Sequence, residues 1–148
     1  PVNDRLAVFS DILSFLECVA SRNYVAIDFY DGSIMYDFAN GKTTICDIDL
    51  FRKQPCVNDM GRMWGSSRFQ SPEEYQLGAA IDEVTNVYTL GATAFALFGE
   101  YNRTREKWQL SDKLFEIATR AVSGDRANRQ QTIRQFTAEW EATLAVEK

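Results

Sequence analysis

Residues 83–99, EVTNVYTLGATAFALFG, constrain the fold more than any other part of the chain. Placed on a helix, this segment is apolar on nearly every face, with only isolated polar side chains. A helix of this kind is stable only when other elements cover it on all sides. The segment therefore predicts a central helix in one domain. Its apolar side chains include Val84, Val87, Leu90, Ala94, Phe95 and Leu97.

Three other segments have the apolar stripe of an amphipathic helix, with apolar residues every three or four positions. They are residues 3–22, residues 111–122, which begin at Ser111 and end before Gly124, and residues 131–144. The aromatic residues of the second half are interpreted as core packing rather than as ligand contacts. These residues are Trp108, Phe115, Phe136 and Trp140.

A small β-hairpin is predicted between the first helix and the rest of the chain. Strands around residues 34–37 and 43–46 flank Asn40-Gly41, which readily takes the left-handed conformations of a tight turn. Residues 50–72 have no clear period and are interpreted as a long irregular segment of the functional kind. Ser71 and Pro72 then suit the start of a helix. The predicted fold is one mostly α domain with a small β-hairpin, over residues 1–148.

Composition excludes several classes of function. The chain has 16 basic and 21 acidic residues, and its net charge of −5 argues against non-specific binding of nucleic acid. It has no histidine, which removes the usual general base, the Ser-His-Asp triad and most zinc sites. Cys18, Cys46 and Cys56 lack CxxC spacing and are interpreted as reduced thiols of a cytoplasmic protein. No apolar run approaches the roughly 18 residues of a membrane span, so no membrane partner is expected.

Two carboxylates stand close together in TTICDIDLF, residues 43–51. If Thr43 to Asp47 is a strand, alternation places Asp47 and Asp49 on the same side. Unpaired buried charges are expensive, so these side chains need either a cation or water. The pattern leaves two interpretations open: a metal site, or a strand that ends in solvent.

Four segments, in this order and at these separations, resemble the C-terminal lobe of a protein kinase. A fifth segment, with Arg129, is a weaker match. AIDFYDGSIMYD is similar to the catalytic loop, and ICDIDLF is similar to the segment around the metal-binding D-F-G. GSSRFQSPEE is similar to the end of the activation segment, which has the A-P-E motif, and DEVTNVYTLGATAFALFG is similar to the central helix. SGDRANRQQTI is similar to the segment whose arginine pairs with the A-P-E glutamate.

The resemblance implies a site for Mg²⁺ and ATP in the full-length protein. Asp28 falls on the catalytic aspartate and Asp47 on the metal-binding aspartate. Asp49 replaces the glycine of D-F-G and adds a second carboxylate. Ser33 replaces the metal-binding asparagine, and Asp31 is an alternative ligand at that point. The implied reaction is transfer of the ATP γ-phosphoryl group to a hydroxyl-bearing protein or small molecule.

Four more residues have implied supporting roles. Ser66 falls on the Ser or Thr that contacts the catalytic aspartate. Glu73, in the place of the A-P-E glutamate, and Arg129 are expected to form a buried ion pair, since arginine suits a carboxylate out of water. Asn86 replaces the aspartate that braces the catalytic loop, and its amide oxygen can still accept a backbone N–H.

Departures from the family pattern keep two alternatives open. Tyr30 replaces the lysine after the catalytic aspartate, and Ala26 and Ile27 replace the histidine and arginine before it. These losses suit a pseudokinase-type binding scaffold, and activation by loop phosphorylation of the common kind is not expected. Asp49 instead suggests a small-molecule kinase of the aminoglycoside or choline type.

No glycine-rich loop or strand lysine of the kinase N-terminal lobe occurs in the sequence. The expected division is a helix (1–22), the catalytic loop and metal hairpin (24–49), an activation-type segment (50–73) and a helical subdomain (74–148). With the N-terminal lobe absent, these residues alone are expected to be inactive. They are also expected to form a homodimer through the surface that would face that lobe.

A small basic cluster lies between the second and third predicted helices. It consists of Arg103, Arg105 and Lys107. The cluster is interpreted as a solvated face, with contact to an acidic partner as the alternative.

Overall fold

A computed structural model describes residues 1–147. Within these residues, four helices form the body of the domain, together with three short antiparallel sheets. The helices are α1 (Val2–Ser21), α2 (Glu83–Phe98), α3 (Asp112–Ala121) and α4 (Ile133–Glu147). The paired strands are β1 (Tyr24–Val25) with β4 (Arg52–Lys53), β2 (Ile34–Asp37) with β3 (Lys42–Ile45), and β5 (Cys56–Val57) with β6 (Ala80–Ile81).

Helix α2 lies at the centre of the domain, as its sequence predicts. Every residue from Thr85 to Phe95 is buried, and the helix packs against α1, α3 and α4. Gly91 allows the close approach of α3, because a Cβ atom there would lie 2.7 Å from the Cβ of Ala121. Asp82 caps the helix by accepting a hydrogen bond from the Val84 N–H. A buried central helix provides a rigid support for the loops at its N-terminal end.

Aromatic rings fill the space between α1, α2 and α4. The Phe9 and Trp140 ring centroids are 4.7 Å apart, and Phe136 stacks on Trp140 at 5.9 Å. Trp108 is buried, and Phe115 packs edge-on against it at 5.7 Å. The interpretation of these rings as core packing is confirmed.

The predicted hairpin is present, but its turn is longer than Asn-Gly alone suggests. Asp37 pairs with Lys42, which leaves residues 38–41 as the connection, and only Gly41 there is left-handed, with φ of +62°. The Asp37 carboxylate accepts hydrogen bonds from the N–H groups of Ala39 and Asn40, which stabilises the longer turn.

The segment from 50 to 72 is irregular apart from β4 and β5, whose two residues each give no detectable period. Pro72–Tyr75 is a single 3₁₀ turn rather than the start of an α-helix.

Cys18, Cys46 and Cys56 are free thiols. Within residues 1–147, no helix combines the length and the apolar character that crossing a bilayer requires.

Candidate active site

Asp28 and Asp47 occupy unusual backbone conformations at the ends of two strands. Asp28 follows β1 and Asp47 follows β3, with φ values of +57° and +59°. Few non-glycine residues have positive φ, because the side chain crowds the backbone there. Such conformations persist where the surrounding structure fixes them, and they concentrate at functional sites.

The two carboxylates interact electrostatically. Burial raises the pKa of Asp28 above its usual value, and the negative charge of Asp47 raises it further. Asp28 is partly buried, whereas Asp47 is exposed. The negative charge of Asp47 raises the pKa of Asp28 because it disfavours the ionised form of that carboxyl. A cation bound nearby would reduce this repulsion.

The backbone of the hairpin holds Asp47 beside the loop that carries Asp28. The Cys46 N–H donates to the Ser33 carbonyl at 2.9 Å, and Ile34 pairs with Ile45 in the sheet. Ser33 closes the 3₁₀ turn of residues 31–33. The residue before Asp47 is thus bonded directly to the loop that follows Asp28.

The expectation that Asp47 and Asp49 share one face of a strand is wrong. Strand β3 ends at Ile45, and the left-handed conformation of Asp47 redirects the chain before Asp49. Both carboxylates are exposed, in an irregular segment. The structure therefore places them at a strand end in solvent, where they remain accessible to a ligand.

Ser33 is fully buried, and its hydroxyl accepts a hydrogen bond from the Tyr30 N–H at 3.4 Å. Asp31, the alternative ligand, accepts hydrogen bonds from the Tyr101 hydroxyl and the Gly32 N–H. Residues 1–147 contain no group of three or more His, Cys, Asp or Glu side chains placed to hold a metal ion. Mg²⁺ beside a nucleotide needs only one or two carboxylates, with phosphates and water as its other ligands. The exposed carboxylates of Asp47 and Asp49 could supply these one or two ligands.

Asn86 joins α2 to the backbone two residues before Asp28. Its side-chain oxygen accepts the Ala26 N–H at 2.8 Å, and its NH₂ group donates to the Ala26 carbonyl at 2.9 Å. An ionised aspartate can make only the first of these bonds, because it has no donor. Asn86 therefore satisfies both buried backbone groups of Ala26.

Glu73 and Arg129 form a bidentate ion pair, with N–O distances of 2.7 and 2.9 Å. Burial alone would raise the pKa of Glu73, but hydrogen bonds and charge from Arg129 and Arg126 outweigh burial and lower it to about 2. The pair connects the end of the 50–73 segment with the loop before α4.

Arg126 is a second partner of Glu73 and was not predicted from the sequence. Its guanidinium donates to Glu73 at 2.6 Å and to both oxygens of Asp82 at 2.7 and 2.8 Å. It thereby links Glu73 to the residue that caps α2. The resemblance matched only Arg129, although Arg126 stands three positions earlier in the same polar segment.

Glu74 is a buried carboxyl that was likewise not predicted from the sequence. Burial raises its pKa to about 7, against the opposing effect of hydrogen bonds from the Ser71 N–H at 2.6 Å and hydroxyl at 3.0 Å. A serine followed three residues later by glutamate is a known capping pattern, and this signal was available in the sequence.

Ser66 lies in the same segment and is partly buried. Its carbonyl accepts the N–H groups of Phe69 and Gln70. In the part of the chain that the structure describes, no hydrogen bond joins Ser66 to Asp28. Its contact with the catalytic aspartate stays a prediction.

The chain has a kinase-like fold. It superimposes on the kinase PK-1 of Cydia pomonella granulovirus with a TM-score of 0.76 and 14% sequence identity, over 93% of this chain. The chain spans 58% of the length of that kinase. Comparison with models of protein families gives no match, and comparison with curated protein sequences gives none.

Proposed function

We propose that these residues form the C-terminal part of a serine/threonine-kinase-like phosphotransferase, which transfers the γ-phosphoryl group of ATP to a hydroxyl. The observation on which the proposal mainly rests is the electrostatic interaction of Asp47 with Asp28. Both take rare left-handed conformations at loop positions, and the charge of one raises the pKa of the other. The kinase-like fold supports the same assignment.

Asp28 would orient the acceptor hydroxyl and accept its proton. A general base has to lie within hydrogen-bond reach of the proton that it accepts, and partial exposure leaves Asp28 open to a substrate. Phosphoryl transfer needs little covalent help beyond this positioning. The bonds from Asn86 to Ala26 fix the backbone from which Asp28 projects.

Asp47, with Asp49 beside it in sequence, would hold Mg²⁺ against the phosphates. When bound, the ion neutralises negative charge on the phosphates. Tyr30 stands where the kinase family has a lysine, so this loop contributes no cation of its own. The two carboxylates would therefore act through the metal rather than through a protein cation.

A pseudokinase-type scaffold is the second candidate, and the burial of Ser33 favours it. The hydroxyl that replaces the asparagine ligand closes a turn inside the protein, out of solvent. Such a protein would retain the fold and bind a partner without transferring phosphate.

A thermal-unfolding measurement on the full-length protein separates the two candidates. We expect Mg²⁺–ATP to raise its melting temperature, because a ligand that binds only the folded state stabilises it. Asp47→Asn should abolish the shift, because it removes a carboxylate that holds the ion. Asp112→Asn, at an exposed position in α3, is the matched control and should keep it. If Mg²⁺–ATP leaves the melting temperature unchanged, the assignment as a scaffold is correct and the assignment as a phosphotransferase is wrong.

A further inference from the structure

Two exposed arginines, Arg68 and Arg103, lie beside the candidate active site without a carboxylate partner. Within residues 1–147 neither forms an ion pair, whereas Arg105 pairs with Asp112, and Lys107 lies 3.6 Å from Glu100. Ion pairs thus partly offset the charge of the predicted basic cluster, and Arg103 is its member without an ion-pair partner among residues 1–147. In a chain of net charge −5, Arg68 and Arg103 form a local cationic surface.

Aromatic rings hold both guanidinium groups in place. The Arg68 guanidinium lies 4.7 Å from the centre of the Tyr101 ring, and that of Arg103 lies 5.2 Å from the centre of the Tyr88 ring. Arg103 also donates to the Tyr88 hydroxyl at 2.8 Å and to the Arg68 carbonyl at 3.1 Å. Guanidinium groups that stack on rings lose less freedom when they bind an anion, since they are already oriented.

Tyr101 connects this surface to the loop that carries Asp28. Its hydroxyl donates to Asp31, in the turn that follows Asp28, and its ring packs edge-on against Phe69 at 6.4 Å. Tyr101 has a φ of +64°, a rare conformation for a large residue. These contacts therefore hold the arginines in place relative to the loop that carries Asp28, the residue proposed to accept the proton of the acceptor hydroxyl.

We propose that Arg68 and Arg103 bind carboxylate side chains of a protein acceptor, so that the hydroxyl offered to Asp28 lies in an acidic peptide segment. This inference rests on the proposed function. Arginine pairs with carboxylates through a planar fork of N–H groups, and complementary charge determines which partners bind. Both arginines are exposed residues, and neither has an ion-pair partner within residues 1–147, so an acidic peptide could reach them.

A binding measurement with the full-length protein tests this inference. The probe is a fluorescein-labelled peptide with one serine flanked by glutamates, and the matched peptide has glutamines instead. In fluorescence anisotropy at low salt we expect the glutamate peptide to bind about tenfold more tightly, because each exposed pair contributes a few-fold. The difference should shrink as salt screens the charges.

Arg68→Gln should weaken binding of the glutamate peptide about threefold to fivefold, the effect expected for one exposed pair. Arg134→Gln, on exposed α4 surface, should leave binding unchanged. Equal affinity for the two peptides, or an Arg68→Gln protein that folds by circular dichroism and binds as before, would overturn the inference. The peptide comparison needs no substitution, so equal affinity for the two peptides overturns the inference even if a variant fails to fold.

The result is independent of the test with Mg²⁺–ATP, because peptide binding requires no phosphoryl transfer. A preference for glutamate together with no effect of nucleotide would support an anion-binding surface on a scaffold. A nucleotide effect without the charge preference would overturn only the assignment of Arg68 and Arg103.

Discussion

Replacement of Asp28 by asparagine is expected to lower the rate of phosphoryl transfer by the full-length protein by about 10²- to 10⁴-fold, the usual contribution of a positioned acid–base group. Asparagine fills nearly the same space, but its amide cannot accept the proton of the acceptor hydroxyl. The KM for ATP should change little, since Asp28 would act on the acceptor. Transfer of ³²P from ATP to a serine peptide measures both quantities.

The matched control is Asp112→Asn, which makes the same chemical change at an exposed position in α3. Its transfer rate should equal that of the unmodified protein. A rate for Asp28→Asn within threefold of the control would show that Asp28 is not the base.

The second large effect concerns stability. Glu73→Gln should lower the free energy of unfolding by about 3–5 kcal/mol, because it leaves the buried Arg129 without a charged partner. Urea unfolding at pH 7 measures this loss. Since the pKa of Glu73 falls to about 2 from a usual 4.5, the stabilisation is complete above pH 4.5 and is lost as the pH falls through about 2.

Glu17→Gln provides the comparison for this prediction, because Glu17 makes an ion pair with the largely exposed Arg134 at 3.3 Å. Exposed pairs contribute about 0–1 kcal/mol. If the two substitutions cost the same, the Glu73–Arg129 pair does not stabilise the domain as we describe.

The helices and the hairpin could be predicted from the sequence because their signals are periodic. The apolar residues of α1 and α2 determine which faces are buried, and Ser111 marks the start of α3. Strands β1, β4, β5 and β6 have two residues each, which is too short for any alternation to show. Their pairing depends on residues distant in sequence.

The conformations of the site residues could not be predicted. Alternation along β3 suggested one direction for Asp47 and Asp49, but a positive φ at Asp47 ends that alternation, and no local residue pattern signals it. The bonds from Arg126 to Glu73 and Asp82 join segments far apart in sequence. The second bond from Asn86, to the Ala26 carbonyl, became evident only from the geometry.

The central claim is that Asp28 and Asp47 lie at one site, and titration of the Asp28 carboxyl tests it most directly. Carbon-detected NMR of ¹³C-labelled protein follows this group through a pH series in the unmodified chain and in Asp47→Asn. We expect the pKa of Asp28 to lie above its usual value and to fall when the charge of Asp47 is removed. An Asp28 pKa that is the same in both proteins would contradict the account.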